Sequence, residues 1–167
     1  NKNHIKILKL EKPYITNAII KSCKIKIKIV NKDEKESNLR IVLNLGHTFG
    51  HAYEAANGFK KKMNHGEGVL LGIKSSIIFS KKKGYLSNNE FLKINDHLNN
   101  LNINLKLKNF FSFSDIAKLI SYMKNDKKNR SSKINLILLK RIGKPIVNYN
   151  FNSNTIISFF KKELSNI

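Results

Sequence analysis

Residues 40–56 read Arg40-Ile41-Val42-Leu43-Asn44-Leu45-Gly46-His47-Thr48-Phe49-Gly50-His51-Ala52-Tyr53-Glu54-Ala55-Ala56. Ile41, Leu45, Phe49 and Ala52 recur at helical spacing, so the stretch predicts one helix from Arg40 to Ala56, ended by Asn57-Gly58. Gly46 and Gly50 work against that helix, each costing about 1 kcal/mol relative to Ala. Two glycines four residues apart share a face, which points to close approach of another backbone or a ligand, with empty space beside the neighbouring rings. His47 and His51 are also i and i+4, so the same helix sets both imidazoles side by side.

Upstream, residues 16–31 carry two conflicting patterns. Lys24 to Ile29 alternates strictly, as a strand does, whereas Ile19, Ile20, Cys23, Ile27 and Val30 keep helical spacing. Pro13, with Thr16 as the cap, favours a helix. Asn31 to Asn38 is a polar link. Downstream, a basic loop from Phe59 to Asn64 leads to a helix from His65 to Lys83, stopped by Gly84. Asn88 or Asn89 caps a helix reaching Asn99, and Ser114 caps another running through Met123. Lys133–Lys140 and Pro145–Asn150 read as two strands joined at Arg141-Ile142-Gly143-Lys144. Thr155 to Ser165 is a terminal helix. The expected architecture is mainly α, with one small β-hairpin.

The 167 residues suffice for one domain with a real core. The first residue, Asn1, is not Met, as expected for a piece of a longer chain. No stretch approaches the roughly 18–20 apolar residues of a membrane span, and the first ten residues lack the order of a secretory signal. Cys23 is the only cysteine, which excludes an internal disulfide and fits a reducing compartment. A cytoplasmic protein without membrane attachment is the expectation. The formal net charge of +21 raises the alternative of a basic nucleic-acid-binding module. That positive charge is nearly all Lys, dispersed along the chain, and Arg occurs only at Arg40, Arg130 and Arg141. Lys, Asn and Ile all have A/T-rich codons, so a drifting genome explains the composition without a nucleic-acid partner. Small anionic substrates would still be drawn to such a field.

The histidines carry the sharpest chemical signal. His65 opens the helix after the loop, so His47, His51 and His65 fall within 19 residues, each next to a glycine. Spacing alone makes these three the ligands of a divalent ion such as zinc, which commonly takes three protein ligands and keeps one position open. A histidine pair on a polar helix face is, by itself, more often structural than metal-binding. His4 and His97 stand apart and read as structural or surface residues. Glu54 follows His51 by three and is placed to orient it as an outer hydrogen-bond partner, or else to face solvent. Asp33, Glu34 and Glu36, just ahead of Arg40, are unusual in so basic a chain. They read either as acids complementing the dipole of the next helix or as a general base beside an anion-gripping Arg. Asp126-Lys127-Lys128 reads on spacing alone as a solvated turn.

Taken together, several runs resemble the 3-dehydroquinate synthase family. They are Ser22 to Lys26; Val30; Asp33-Glu34-x-Glu36-Ser37-x-Leu39-Arg40; Leu43-Asn44-Leu45-Gly46-His47-Thr48-x-Gly50-His51-Ala52-x-Glu54-Ala55; and His65-Gly66-Glu67-x-Val69. Asp126-Lys127-Lys128, with Ile134 to Leu139 and Ile142-Gly143 beyond, is similar to the family's later motif. The resemblance covers about residue 19 to about residue 143. It implies the helical C-terminal domain of the dehydroquinate synthase-like fold, one domain over residues 1–167, without the N-terminal NAD-binding domain. It also implies that His47 and His65 bind the metal, Zn²⁺ or Co²⁺, while His51 and Glu36 accept protons. Lys26, Arg40 and Asn44 would contact substrate, as would one lysine of the later motif, Lys128 rather than Lys127.

The family reaction is cyclisation of a seven-carbon sugar-acid phosphate, 3-deoxy-D-arabino-heptulosonate 7-phosphate, to 3-dehydroquinate with loss of phosphate. NAD is the redox cofactor, the step belongs to the shikimate pathway of aromatic amino-acid biosynthesis, and the full-length enzyme is expected to be a homodimer. No Gly-rich nucleotide motif occurs here, as expected if NAD sits mainly on the absent half. The family's third metal ligand, a glutamate in a Glu-x-x-Lys segment upstream, has no counterpart in these residues. Asn38 replaces the glycine usual before Leu39-Arg40. Another sugar-phosphate cyclase, or an iron-type alcohol dehydrogenase relative, is the nearest alternative within the resemblance.

Overall fold

The computed structural model describes residues 3–37, 39–58, 63–101, 103, 105–125 and 133–165. Asn38 and Asp126-Lys127-Lys128, with the candidate Lys128, lie outside the described residues. Seven helices are described: α1 (His4–Leu8), α2 (Tyr14–Lys32), α3 (His47–Ala56), α4 (His65–Lys82), α5 (Asn88–Asn99), α6 (Ile116–Lys124) and α7 (Ser153–Ser165). Strands β1 (Ile134–Arg141) and β2 (Lys144–Phe151) form an antiparallel hairpin. The architecture is therefore mainly α with one small hairpin. Among the described residues, no helix is long and apolar enough to cross a membrane.

The conflict over residues 16–31 resolves as helix: among the described residues the alternating Lys24–Ile29 segment has no strand to pair with, since β1 and β2 pair with each other. Thr16 is not its cap. The helix already runs from Tyr14, with Pro13 at the N-cap, and the turn is closed by the Ile15 amide donating to Glu11 O (3.0 Å) and Asn17 to Pro13 O (2.9 Å). The expected single helix from Arg40 to Ala56 is two elements. Leu39–Asn44 is a 3₁₀ turn, Gly46 takes a left-handed conformation (φ 81°), and α3 starts at His47. A side chain at that φ would be strained, so the glycine is where the chain can change direction.

Side chains one or two residues before the expected positions cap other helices. Ser87, rather than Asn88, accepts from the Glu90 amide (3.3 Å) ahead of α5. Ser112, rather than Ser114, makes the reciprocal cap with Asp115, inserting a 3₁₀ turn over Phe113–Asp115 before α6. Asn152 Oδ1 accepts from the Thr155 amide (2.9 Å), so α7 begins at Ser153 rather than Thr155. Asn64 and Glu67 form a full capping box on α4, which accounts for Glu67 as a helix-start residue.

The core is aromatic at its centre. Phe49 and Tyr53 of α3 pack against Phe79 of α4, Phe159 and Phe160 of α7, and Phe111, with ring centroids 5.3–6.4 Å apart. Each fully buried ring contributes about 1.5–3 kcal/mol of transfer free energy. Tyr53 donates or accepts a 2.7 Å hydrogen bond with Ser75, and its burial pushes the phenol far up from its ordinary pKa. Buried Ser80 joins α4 to the hairpin, donating to Ser76 O (2.6 Å) and accepting from the Leu139 amide (3.0 Å). Thr48 donates to Asn135 O (3.2 Å), tying the start of α3 to β1.

Gly46, at the N-cap of α3, and Gly50 inside it meet a second pair, Gly68 and Gly72, in α4. A Cβ built on Gly72 would lie 2.7 Å from Gly50 N and closer still to Gly46 O, while one on Gly50 would lie 3.0 Å from Gly68 O. The space expected beside the histidine rings is thus filled by backbone of α4, not by a ligand. We expect Gly72→Ala to destabilise the chain by about 3 kcal/mol, since overpacking against backbone leaves nothing flexible to yield. That corresponds to a fall of about 6–12 °C in Tm by circular dichroism. Gly84→Ala is the control: its φ is also positive (74°) but a Cβ there meets nothing within 4 Å, so only the left-handed backbone cost of about 1–2 kcal/mol applies. Equal losses for the two variants would mean the α3–α4 contact can open.

Candidate functional site

Because Gly46 turns the chain, His47 is the first residue of α3, and His51 lies one turn later on the same face. Their ring centroids are 5.4 Å apart. The glycine contacts then set the start of α4 beside that face. His65, first residue of α4, has its ring 6.1 Å from His47 and 6.3 Å from His51. The three imidazoles form a near-equilateral triangle built from two helices. Among the described residues, no three His, Cys, Asp or Glu side chains are placed to hold an ion by themselves.

The outer partners of the rings differ. His47 Nδ1 lies 3.4 Å from Leu45 O, a long contact that favours the Nδ1–H form and directs coordination to Nε2. His65 Nδ1 lies 2.8 Å from Glu54 Oε1. Glu54 therefore reaches across to α4 instead of bonding His51 on its own helix, contrary to the orientation expected from its spacing. A carboxylate at i+3 can reach a ring on its own helix, but the cross-helix ring stands directly over it.

The acidic cluster divides its labour. Asp33 ties the turn after α2: its carboxylate accepts from the Ser37 amide (2.9 Å), the Ser37 hydroxyl (3.0 Å) and the Arg40 amide (2.9 Å). It thereby caps the 3₁₀ turn, the structural alternative posed for these acids. Arg40 is held from behind, its Nη1 donating to Glu34 O (2.8 Å). Glu36 adopts a positive φ of 53°, uncommon for a residue with a side chain. Its Oε1 accepts from Asn44 Nδ2 at 2.6 Å.

These groups converge. A cleft of about 430 Å³ between α2 and the 3₁₀ turn is lined by Lys26, Glu36, Arg40, Asn44 and His47, with Ile25 and Leu43 among its walls. Two cations, one carboxylate, one amide and one imidazole thus face a common space, a lining suited to a small polyhydroxylated anion. His51 and His65 adjoin it through His47. Of the eight candidate residues, Lys128 alone lies outside the described residues. The Glu54–His65 contact and the choice of Asp33, among the three acids, as the tie are the features that sequence reasoning did not assign. The tie was foreshadowed by Asp33 preceding a Ser at i+4, and the Glu54–His65 contact had no local signal.

Residues 1–129 match the model of the family described as 3-dehydroquinate synthase C-terminal. The 3-dehydroquinate synthase of Pelagibacter ubique (strain HTCC1062) is 48% identical over 165 residues, covering 99% of this chain and 45% of the relative. That of Rhodopseudomonas palustris (strain BisB18) is 36% identical over 154 residues, covering 89% of this chain and 40% of the relative. The chain thus spans less than half the length of these curated relatives. A solved 2-deoxy-scyllo-inosose synthase complexed with carbaglucose-6-phosphate, NAD⁺ and Co²⁺ has a TM-score of 0.69 at 20% identity, over 82% of this chain and 39% of that chain, and so shares the fold. With the family model spanning the site helices and relatives of one name aligned along nearly the whole sequence, the chain belongs to the 3-dehydroquinate synthase C-terminal family.

Proposed function

We propose that this chain is the metal- and substrate-binding half of a 3-dehydroquinate synthase, and that its cleft receives 3-deoxy-D-arabino-heptulosonate 7-phosphate. The observation that most supports this reading is the convergence of Lys26, Glu36, Arg40, Asn44 and His47 on one cleft beside the other two imidazoles. In this proposal His47 and His65 hold a divalent ion, Zn²⁺ or Co²⁺. The donor set suits it: two imidazoles on neighbouring helices, each with Nδ1 against a protein oxygen. Two ligands fall short of the three usual for catalytic zinc, so the third comes from the N-terminal half, which also carries most of the NAD site. When bound, the ion would supply Lewis-acid polarisation of substrate hydroxyls and NAD would supply reversible hydride chemistry.

This chain's own residues position the substrate and move protons. Arg40, braced by Glu34 O, and Lys26 grip the carboxylate and phosphate ends; Lys128 adds a third cation. Asn44 donates to Glu36 Oε1 and so holds the carboxylate that lines the cleft, where in this proposal it is a proton acceptor. His51 accepts a proton at its imidazole, the general-base role open to a positioned histidine. The strained backbone at Glu36 accords with a side chain held for chemistry rather than for packing. The fold shared with 2-deoxy-scyllo-inosose synthase favours, as a second reading, a related cyclase acting on another sugar phosphate; comparing turnover of the two substrate types separates them. Dispersed lysines and a site built around single Lys and Arg side chains do not favour the nucleic-acid reading.

The 167-residue chain alone is expected to release no phosphate from the seven-carbon substrate with NAD and metal supplied, and to do so when the N-terminal half of a close relative is joined to it. Turnover by the chain alone would overturn the divided-site reading. In the joined enzyme, His51→Ala is expected to keep its metal and lose about 10²–10⁴ in kcat, the usual contribution of a positioned acid or base, whereas His47→Ala loses metal as well. Metal content measured alongside turnover decides it: loss of metal from both variants alike would make His51 a ligand.

A further inference from the structure

Glu54 and Gly68 form an arrangement that neither helix explains alone. Glu54 follows His47 by seven residues and His51 by three, on the same face of α3. Its side chain is only 12% exposed, while that of its partner His65 is 66% exposed. To reach His65 Nδ1, the Glu54 side chain lies across α4 at Gly68. A Cβ built there would sit 2.8 Å from Glu54 Cγ and 2.8 Å from Oε1. Gly68 and His65 are i+3 and i on α4, one turn apart on one face. A glycine inside a helix costs about 1 kcal/mol relative to Ala, and here the missing side chain is replaced by a carboxylate from another helix.

An ionised carboxylate only accepts hydrogen bonds, so the 2.8 Å contact requires the proton on His65 Nδ1 and leaves the lone pair on Nε2. An imidazole so exposed, on the first residue of a helix, has little else to fix its rotation or its tautomer. We propose that Glu54 is a positioning residue that holds His65 in the Nδ1–H tautomer with Nε2 turned toward the metal position, and that Gly68 provides the slot through which it does so. The metal half of this inference rests on His65 being a ligand, as proposed above; the tautomer half does not.

Long-range ¹H–¹⁵N correlation spectra of the metal-free, ¹⁵N-labelled chain read the tautomer directly, at about pH 8.5, where imidazoles are neutral. His65 is expected in the Nδ1–H form, the opposite of what a solvated histidine prefers. Glu54→Gln, which keeps a carbonyl oxygen as acceptor, should retain it. Glu54→Ala should shift His65 to the Nε2–H form and weaken Co²⁺ binding, followed by its visible absorption, by about tenfold to a hundredfold. Gly68→Ala should give the same two changes with Glu54 still present. An Nε2–H tautomer in the wild-type chain, or no tautomer change in Glu54→Ala and Gly68→Ala, would overturn the positioning role. If His65→Ala binds Co²⁺ as the wild type does while Glu54→Ala still shifts the tautomer, the hydrogen bond stands and the ligand reading falls.

Discussion

The distance between α3 and α4 is set by backbone meeting backbone at Gly46, Gly50, Gly68 and Gly72, and the histidine triangle depends on it. Interiors pack near crystalline density, so a side chain anywhere along this line would push the helices apart or rotate them. Separation by even an ångström would move His65 relative to His47 and His51 and would take Glu54 away from His65. Gly50, Gly68 and Gly72 weaken helix propensity within the two elements. The loss is offset by the aromatic cluster beneath them, where Phe49 and Tyr53 anchor α3 to α4 and α7. The rigid core thus faces one side of the helix pair and the chemistry the other.

Much of this could be read from the residues in order. The period of Ile41, Leu45, Phe49 and Ala52, the Gly-His repeats and the alternation after Lys133 mark helices, site and hairpin without reference to anything distant. The division of the histidines into ligands and proton acceptor comes from the resemblance to the family, since spacing alone makes all three ligands. Other features depend on partners far along the chain. Gly46 counts as one more helical residue until Gly72, 26 positions later, is seen to lie against it. Lys24 to Ile29 alternates as a strand would, yet no strand among the described residues pairs with it and the segment stays within α2.

Caps were displaced by one or two residues where several Ser or Asn neighbours offered equivalent oxygens, as at Ser87-Asn88-Asn89 and Ser112-Phe113-Ser114. Local hydrogen-bond chemistry is nearly degenerate there, and the direction in which the chain enters the helix breaks the tie. Glu54 illustrates the same limit at the site. Its carboxylate had a plausible partner at i−3, and the choice of His65 follows from the register of α4 against α3, which no local window contains.

The first two helices stand outside the packed core. Helix α2 buries none of its residues and packs on α1 and the 3₁₀ turn, leaving Ile19, Ile25 and Ile27 more than half exposed. Yet it carries Lys26 to the cleft. At its C-terminal end it joins the rest through the turn tied by Asp33, and that carboxylate can act as the fulcrum of a lever. Lys26 lies seven residues from Asp33, about 10 Å along the axis at 1.5 Å per residue. A tilt of about 10° about the fulcrum would carry the lysine some 2 Å, roughly the margin between a hydrogen bond and none. Among the described residues, the hydrogen bonds from Ser37 and Arg40 to this one aspartate therefore bear on the aperture of the cleft, which widens or narrows with the angle of one turn.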